Sequence, residues 1–138
     1  QWNEHYPSRK VFEKDIMNKE LYVTEMNNSI VGCIMFSKHK DELYNKIDWL
    51  TPDPNNLYIH RLAVHPKSQK KGLARSMMDF AEEEAIKMKC LSVRLDTFSQ
   101  NSRNSKFYRA RGYIQLGDVH IPKQSEYPFY CFEKILKY

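Results

Sequence analysis

The sequence predicts an α/β fold, a mixed sheet covered by helices. Three observations lead there. Strand-like runs alternate with helical ones through the middle of the chain, a strand-rich tail follows residue 112, and two early strands are separated by a turn signal. The 138 residues read as a single domain, 1–138, long enough to bury a core without staples. No internal repeat, low-complexity run or interdomain linker divides it.

Each element has its own signal. Residues 8–18 have helical spacing, with Val11, Phe12 and Ile16 on one stripe behind Ser8 as N-cap. Residues 21–25 and 30–36 read as strands, and Asn27 and Asn28 between them mark a hairpin turn. Residues 38–49 are polar and fit either a short helix or an ordered loop; the Pro- and Asn-rich stretch 51–56 then breaks the chain. Residues 57–64 are a bulky strand ended by His65 and Pro66. The basic loop 67–72 leads into a helix that places Leu73, Met77, Phe80, Ala81, Ala85 and Met88 on one face. Residues 91–97 form the next strand. Asn101 opens a short helix carrying Phe107 and Tyr108, which Gly112 closes in a left-handed conformation. Residues 113–116 and 129–135 supply two last strands.

Composition excludes several classes. Hydrophobic residues at 41% and aromatic residues at 13% argue against disorder. Cys33, Cys90 and Cys131 are odd in number and lack metal-ligand spacing, which predicts reduced thiols rather than a disulfide framework and favours the cytoplasm. His5, His39 and His120 form no metal triad with nearby carboxylates. No stretch reaches transmembrane length, and no apolar signal core opens the chain. The net charge of +5 permits nucleic-acid binding, but no basic run carries interleaved aromatics and the acids are dispersed. A solvated surface with a local phosphate pocket fits better, without a nucleic-acid or membrane partner.

The phosphate pocket has a location. A strand, a loop holding Lys70, Lys71 and Gly72, and then a helix make an anion site: the first helical amides lack intrahelical acceptors and the dipole is positive there. Gly72 allows close approach of the backbone to a ligand, and Arg75 adds charge. An ordinary exposed turn has the same composition, so the turn alone decides little. Neither GxxxxGK[ST] nor GxGxxG spacing occurs.

The run 59–66, IHRLAVHP, followed by 69–74, QKKGLA, resembles the GNAT N-acetyltransferase family, whose pyrophosphate signature is Q/R-x-x-G-x-G/A. Asn101 after the following strand, then Phe107, Tyr108, Arg111, Gly112 and Tyr113, matches its second signature. The resemblance covers roughly residue 21 to the C-terminus. It implies the acetyltransferase fold, a mixed twisted sheet flanked by helices, in which strands 57–64 and 91–97 splay to admit acetyl-CoA as cosubstrate. It places Leu62, Ala63 and Val64 along the pantetheine arm. Gln69, Lys70, Lys71, Gly72, Leu73, Ala74 and Arg75 would wrap the pyrophosphate, Asn101 would bond the cofactor arm, and Tyr108 would lie near the thioester sulfur. Arg103 and Lys106 are additional phosphate candidates. The family opens with a strand and helix before the segment matching 8–18; nothing before Ser8 reads like that pair, so the N-terminal part is expected to be short.

Transfer to an amine needs a neutral amine, a polarised carbonyl and a protonated leaving thiolate. Tyr108 is the acid candidate, because a phenol near pKa 10 roughly matches a thiol; as a bland alternative it is a core aromatic beside Phe107. His60 and Asp96 are the base candidates. His60 is placed on the strand face of Leu62, with a half-buried hydrogen-bonded role as its alternative. Asp96 ends the next strand and could instead pair with Arg94 or cap a loop. Water could also carry the proton. Cys131 in an apolar strand reads as a small buried hydrophobe, not a nucleophile. Trp2, Trp49, Tyr127 and Phe129 are candidates for shaping the acceptor pocket.

The expectation is an enzyme, an acetyl-CoA-dependent N-acetyltransferase acting on a small-molecule or peptide primary amine by direct attack in a ternary complex, cytoplasmic, without metal. A homodimer is compatible with it. The alternative is a CoA-binding sensor or interaction domain of the same fold without turnover.

Overall fold

The computed structural model describes Ile16 and residues 20–138. The helix expected over 8–18 therefore lies outside the described residues, apart from Ile16, which is helical, as does Trp2. From there the chain runs β1 (Leu21–Met26), β2 (Ser29–Ser37), a 3₁₀ turn (Glu42–Lys46), β3 (Asn56–Val64), α1 (Leu73–Lys87), β4 (Ser92–Phe98), α2 (Ser102–Ala110), β5 (Ile114–Val119) and β6 (Phe129–Ile135). The β1–β2 hairpin closes through Asn27 and Asn28, both left-handed at φ 51° and 64°, a conformation Asn tolerates and most residues avoid. The ambiguous segment 38–49 resolves into the 3₁₀ turn, whose N-cap Asp41 accepts from the Leu43 N–H.

Among the described residues six strands form one mixed sheet in the order β1-β2-β3-β4-β6-β5. Every neighbouring pair is antiparallel except β3 and β4, whose parallel pairing needs the α1 crossover between them. One face of the sheet packs with α1 and α2 around Ile34, Leu57, Ile59, Met78, Val93, Tyr108 and Phe132. The other face carries a smaller cluster of Tyr44, Ile47, Tyr58, Val119, Phe129 and Cys131, covered by the 3₁₀ turn. Along α1 the expected stripe is buried at Met77, Ala81 and Ala85. Met88 instead forms the C-cap and is exposed, and Glu82 is buried among the apolar residues.

Glu82 is tolerated there because it gathers donors. Arg111 Nε and Nη2, the Tyr113 hydroxyl and Lys134 Nζ all reach its carboxylate at 2.7–3.2 Å, tying α1 to the end of α2, to Tyr113 just before β5 and to β6. A second buried network centres on Arg94 and Glu133, both fully buried on β4 and β6. It pins the 50–53 loop against the sheet, at the end where β3 and β4 still pair. The three cysteines join no disulfide among the described residues, and Cys90 and Cys131 are buried thiols. Among the described residues no helix is long and apolar enough to cross a membrane.

Candidate active site

The site begins with a gap between two strands. β3 and β4 are paired only through Asn56, Leu57 and Tyr58 against Ser92, Val93 and Arg94, yet β3 runs on to Val64 and β4 to Phe98. On its other side β3 stays paired with β2 as far as Val64, and β4 with β6 as far as Phe98. The divergence therefore leaves two facing backbone edges without strand partners among the described residues. A cleft of about 1140 Å³ occupies the gap, and Ile59, Leu62, Ala63 and Val64 line one side of it, with Leu95, Asp96 and Thr97 on the other. Unpaired strand edges are a template for an extended ligand that hydrogen-bonds as an added strand. The expected splay of strands 57–64 and 91–97 is what the sheet shows.

A one-residue bulge sits at the same place. Met35 pairs with Arg61 but Phe36 with Ile59, so His60 is the extra residue of β3. Its consequence corrects the sequence-based placement of His60. Ile59 packs on the helix-side core, as do Leu62 and Val64, so the side-chain alternation changes parity across the bulge. His60 is on the opposite face from Leu62: its ring stacks 6.4 Å from that of Tyr58, and its Nε2 lies 3.0 Å from Ser37 Oγ. It still lines the cleft.

At the other end the cleft runs onto the turn before α1. Lys70 and Gly72 are both left-handed, at φ 67° and 76°, on either side of Lys71. Backbones that alternate hand in this way direct successive N–H groups into an anion-binding concavity. Gly72 is the N-cap of α1 and supplies no side-chain cap, so the first amides of the helix remain for another acceptor. A Cβ built on Gly72 meets nothing within 4 Å; it would project into space the fold leaves open. Gln69, Lys70, Gly72, Leu73, Ala74 and Arg75 line the cleft, whereas Lys71 does not. The turn thus fits a pyrophosphate, and the strand edges fit the amide-bearing arm attached to it. Both features together fit coenzyme A.

Asn101 and Arg103 also reach the cleft, while Lys106 does not. Asn101 has a structural duty as well. Its Oδ1 accepts from the Asn104 N–H at 3.0 Å as the N-cap of α2. Its amide N–H groups are then the donors it can offer a ligand.

Tyr108 is a core aromatic that also lines the cleft. It packs among Phe107, Tyr113 and Phe132 with ring centroids 5.2–6.0 Å away and is 6% exposed. Burial, reinforced by the charge of Asp96, pushes its phenol well above the ordinary value of 10. The near match to a thiol expected from the sequence does not survive that shift. The phenol remains protonated, with a proton to donate in a hydrogen bond.

Asp96 is not paired with Arg94. That guanidinium is engaged by Asp53, Glu133, the Tyr58 hydroxyl and the Thr51 carbonyl. Asp96 instead accepts a hydrogen bond from the Tyr44 hydroxyl at 2.5 Å on Oδ2, and its Oδ1 has no hydrogen-bond partner among the described residues. Burial raises its carboxyl to about 6, opposed by the Tyr44 hydrogen bond and assisted by the charge of Asp41. A carboxylate titrating near 6 is largely ionised at neutral pH yet basic enough to accept a proton.

The wall around Asp96 escaped the sequence reading. Asp41, Leu43 and Tyr44 come from the 3₁₀ turn, and Ile121, Lys123 and Gln124 from the loop before β6. Phe129 lines the cleft as expected; Trp49 and Tyr127 do not. Among the described residues no cluster of His, Cys, Asp and Glu could hold a metal.

Comparison with known proteins agrees with this geometry. A family model described as the acetyltransferase (GNAT) family matches residues 1–113. An uncharacterised N-acetyltransferase encoded in the region 3′ of pepI in Lactobacillus delbrueckii subsp. lactis is 29% identical over 66 residues, 48% of this chain. The matched stretch spans 38% of that relative's length. A solved Staphylococcus aureus Mu50 protein assigned to the acetyltransferases superposes with a TM-score of 0.76 at 28% identity, covering 96% of this chain and 83% of its own. A GNAT family acetyltransferase from Elizabethkingia anophelis with acetyl-CoA bound superposes with a TM-score of 0.74 over 95% of this chain and 85% of its own. At 16% identity this last likeness is one of fold.

Proposed function

Since the chain belongs to the acetyltransferase (GNAT) family, we propose that it transfers the acetyl group of acetyl-CoA to a primary amine by direct attack in a ternary complex. The observation that carries the reading is the unpaired edge of β3 from Ile59 to Val64, continuous with the left-handed turn at Lys70 and Gly72. The same fold holds acetyl-CoA in the Elizabethkingia protein. Three cysteines, odd in number and in no disulfide among the described residues, suit a reducing compartment such as the cytoplasm.

The thioester supplies an acyl carbon open to attack by an uncharged amine. The chain's residues then have three tasks. Backbone N–H groups on the free edge of β3 hold the cofactor arm and polarise the carbonyl. Asp96 takes the proton of the incoming ammonium on Oδ1, leaving the nitrogen lone pair free. Tyr108 donates a hydrogen bond to the departing sulfur, and the second proton that the nitrogen loses as the amide forms passes through solvent to the thiolate. His60 lines the cleft beside these groups, tied to Ser37. We assign the base to Asp96 because burial has already tuned it.

The test is a thiol-release assay with acetyl-CoA and a panel of a polyamine, an amino-acid ester and a peptide with a free N-terminus. Release that depends on one amine class supports transfer. Coenzyme A binding with no release for any member of a broad panel would point to the non-catalytic sensor instead. Saturating CoA should itself raise the melting temperature by several degrees, since about 2.7 kcal/mol is gained at about one hundred times Kd. No shift would remove the cofactor site.

Gly72→Ala probes the cradle. The left-handed φ of 76° disfavours Ala by about 1 kcal/mol, a modest loss of stability. Its methyl group would enter the space proposed for the pyrophosphate. Calorimetric CoA affinity is expected to fall by about tenfold or more, the equivalent of losing one good hydrogen bond to a charged group. Unchanged affinity would place the phosphates elsewhere.

Tyr108→Phe keeps the ring in its aromatic cluster and removes one donor. If the phenol serves the leaving sulfur, turnover falls by about 10- to 100-fold, the worth of a hydrogen bond to a charged group, with acetyl-CoA affinity near that of the parent. A purely structural Tyr108 predicts a lower melting temperature with normal turnover per folded molecule.

A further inference from the structure

We propose that Tyr44 is a positioning residue for acetyl transfer: its hydroxyl orients the Asp96 carboxylate so that one oxygen is engaged and the other faces the acceptor amine. The inference rests on the reading of Asp96 as base and goes beyond it, to a residue outside both signatures read in the sequence. Tyr44 is 4% exposed and held from several directions. Its ring lies between those of Trp49 and Tyr58, with centroids 5.2 and 5.8 Å away, and its carbonyl accepts from the Trp49 indole N–H at 3.0 Å and the Ile47 N–H at 3.2 Å. Trp49 is fixed in turn by the Arg94 guanidinium, 4.6 Å over its ring.

The hydroxyl delivered by this assembly meets Asp96 Oδ2 at 2.5 Å. Burial and the neighbouring Asp96 charge hold the Tyr44 phenol well above its ordinary value, so it donates throughout the working pH range. A carboxylate so held cannot rotate freely, and Oδ1 is the oxygen left to take a proton. The other groups around Asp96 do not compete for that part. Asp41 from the same 3₁₀ turn is an anion, Cys131 opposite on β6 has its thiol pushed up by burial, and Tyr108 from α2 is a protonated phenol. His60 of β3 shares the cleft and is tied to Ser37.

Two substitutions should move Asp96 in opposite directions. Tyr44→Phe keeps the ring and removes the bond that favours the carboxylate, so the Asp96 midpoint should rise by on the order of one pH unit. Asp41→Asn removes a like charge and keeps the turn cap, since Asn caps as well as Asp, so the midpoint should fall. The readout is ¹³C NMR of the Asp96 side-chain carboxyl across pH, assigned by its loss in Asp96→Asn, on the full chain with melting temperature recorded. This needs no knowledge of the acceptor. A Tyr44→Phe midpoint equal to the parent's in a folded protein overturns the proposal, as does an upward shift in Asp41→Asn. Undiminished transfer by Asp96→Asn in the amine panel would overturn the base assignment instead, and the two failures are thereby distinct. Where transfer is measurable, the acidic limb of kcat/KM should follow the carboxyl midpoint in each variant.

Discussion

Asp96→Asn is expected to lower kcat/KM for acetyl transfer by about 100- to 10,000-fold and to leave CoA affinity unchanged. The substitution is nearly isosteric, and its side-chain oxygen can still accept from Tyr44, so the local geometry should persist. What disappears is the ability to take a proton from an ammonium that is otherwise charged at neutral pH. Stability supplies an independent check. The folded carboxyl titrates at about 6, above the ordinary 3.8, so the folded state binds this proton more tightly than the unfolded chain does. Stability therefore falls as pH rises from the lower value to the upper, by up to about 3 kcal/mol, and stays reduced above it. Asp96→Asn should relieve that burden and melt higher than the parent at pH 7, while near pH 4 the two should be closer. A variant that is more stable and less active marks a residue kept for chemistry. Normal turnover in the Asn variant would leave water or His60 to carry the proton.

The parts of this site that were legible in the sequence are those written contiguously. The QKKGLA turn needs only a strand, a loop and a helix start in succession, and the hairpin at Asn27 and Asn28 needs only two residues that accept positive φ. What was illegible depends on contacts between distant positions. Tyr44 and Asp96 are 52 residues apart, and nothing in the polar stretch 38–49 tells that the Tyr44 hydroxyl meets the Asp96 carboxylate. Nothing in the sequence sets Glu82 apart from the other charges of its helix, because its partners Arg111, Tyr113 and Lys134 belong to later elements. The placement of His60 failed for a smaller reason. Strand alternation assumes an unbroken register, and one inserted residue reverses it. Tyr108 lines the cleft, but the expected match of its phenol to a thiol is lost to burial, which depends on the packed state.

The second large effect is one of stability, at the opposite end of the β3–β4 pair. Glu133→Ala should destabilise the fold by about 3–5 kcal/mol. Both Arg94 and Glu133 are fully buried and meet at 3.0 Å, Nε to Oε2. The carboxylate also accepts from the Ser92 and Thr51 hydroxyls at 2.5 and 2.8 Å, and from the Leu50 N–H at 2.5 Å. Truncation would leave the Leu50 N–H without its acceptor, the Ser92 and Thr51 hydroxyls with Asn56 Oδ1, and the guanidinium with Asp53 as its carboxylate partner, itself nearly half exposed. The cost comes from stranding a buried cation, more than from the net worth of the pair. Replacing both partners together, as in Arg94→Met with Glu133→Leu, should therefore recover much of the loss. Urea denaturation measures this directly, as a lowered midpoint with an unchanged slope. The site is affected by a separate route. Arg94 also supports Trp49, and Trp49 supports Tyr44, so the double variant should regain stability while still misplacing the Tyr44 hydroxyl. A loss below about 1 kcal/mol in Glu133→Ala, the range of an exposed pair, would show that water reaches this network in solution.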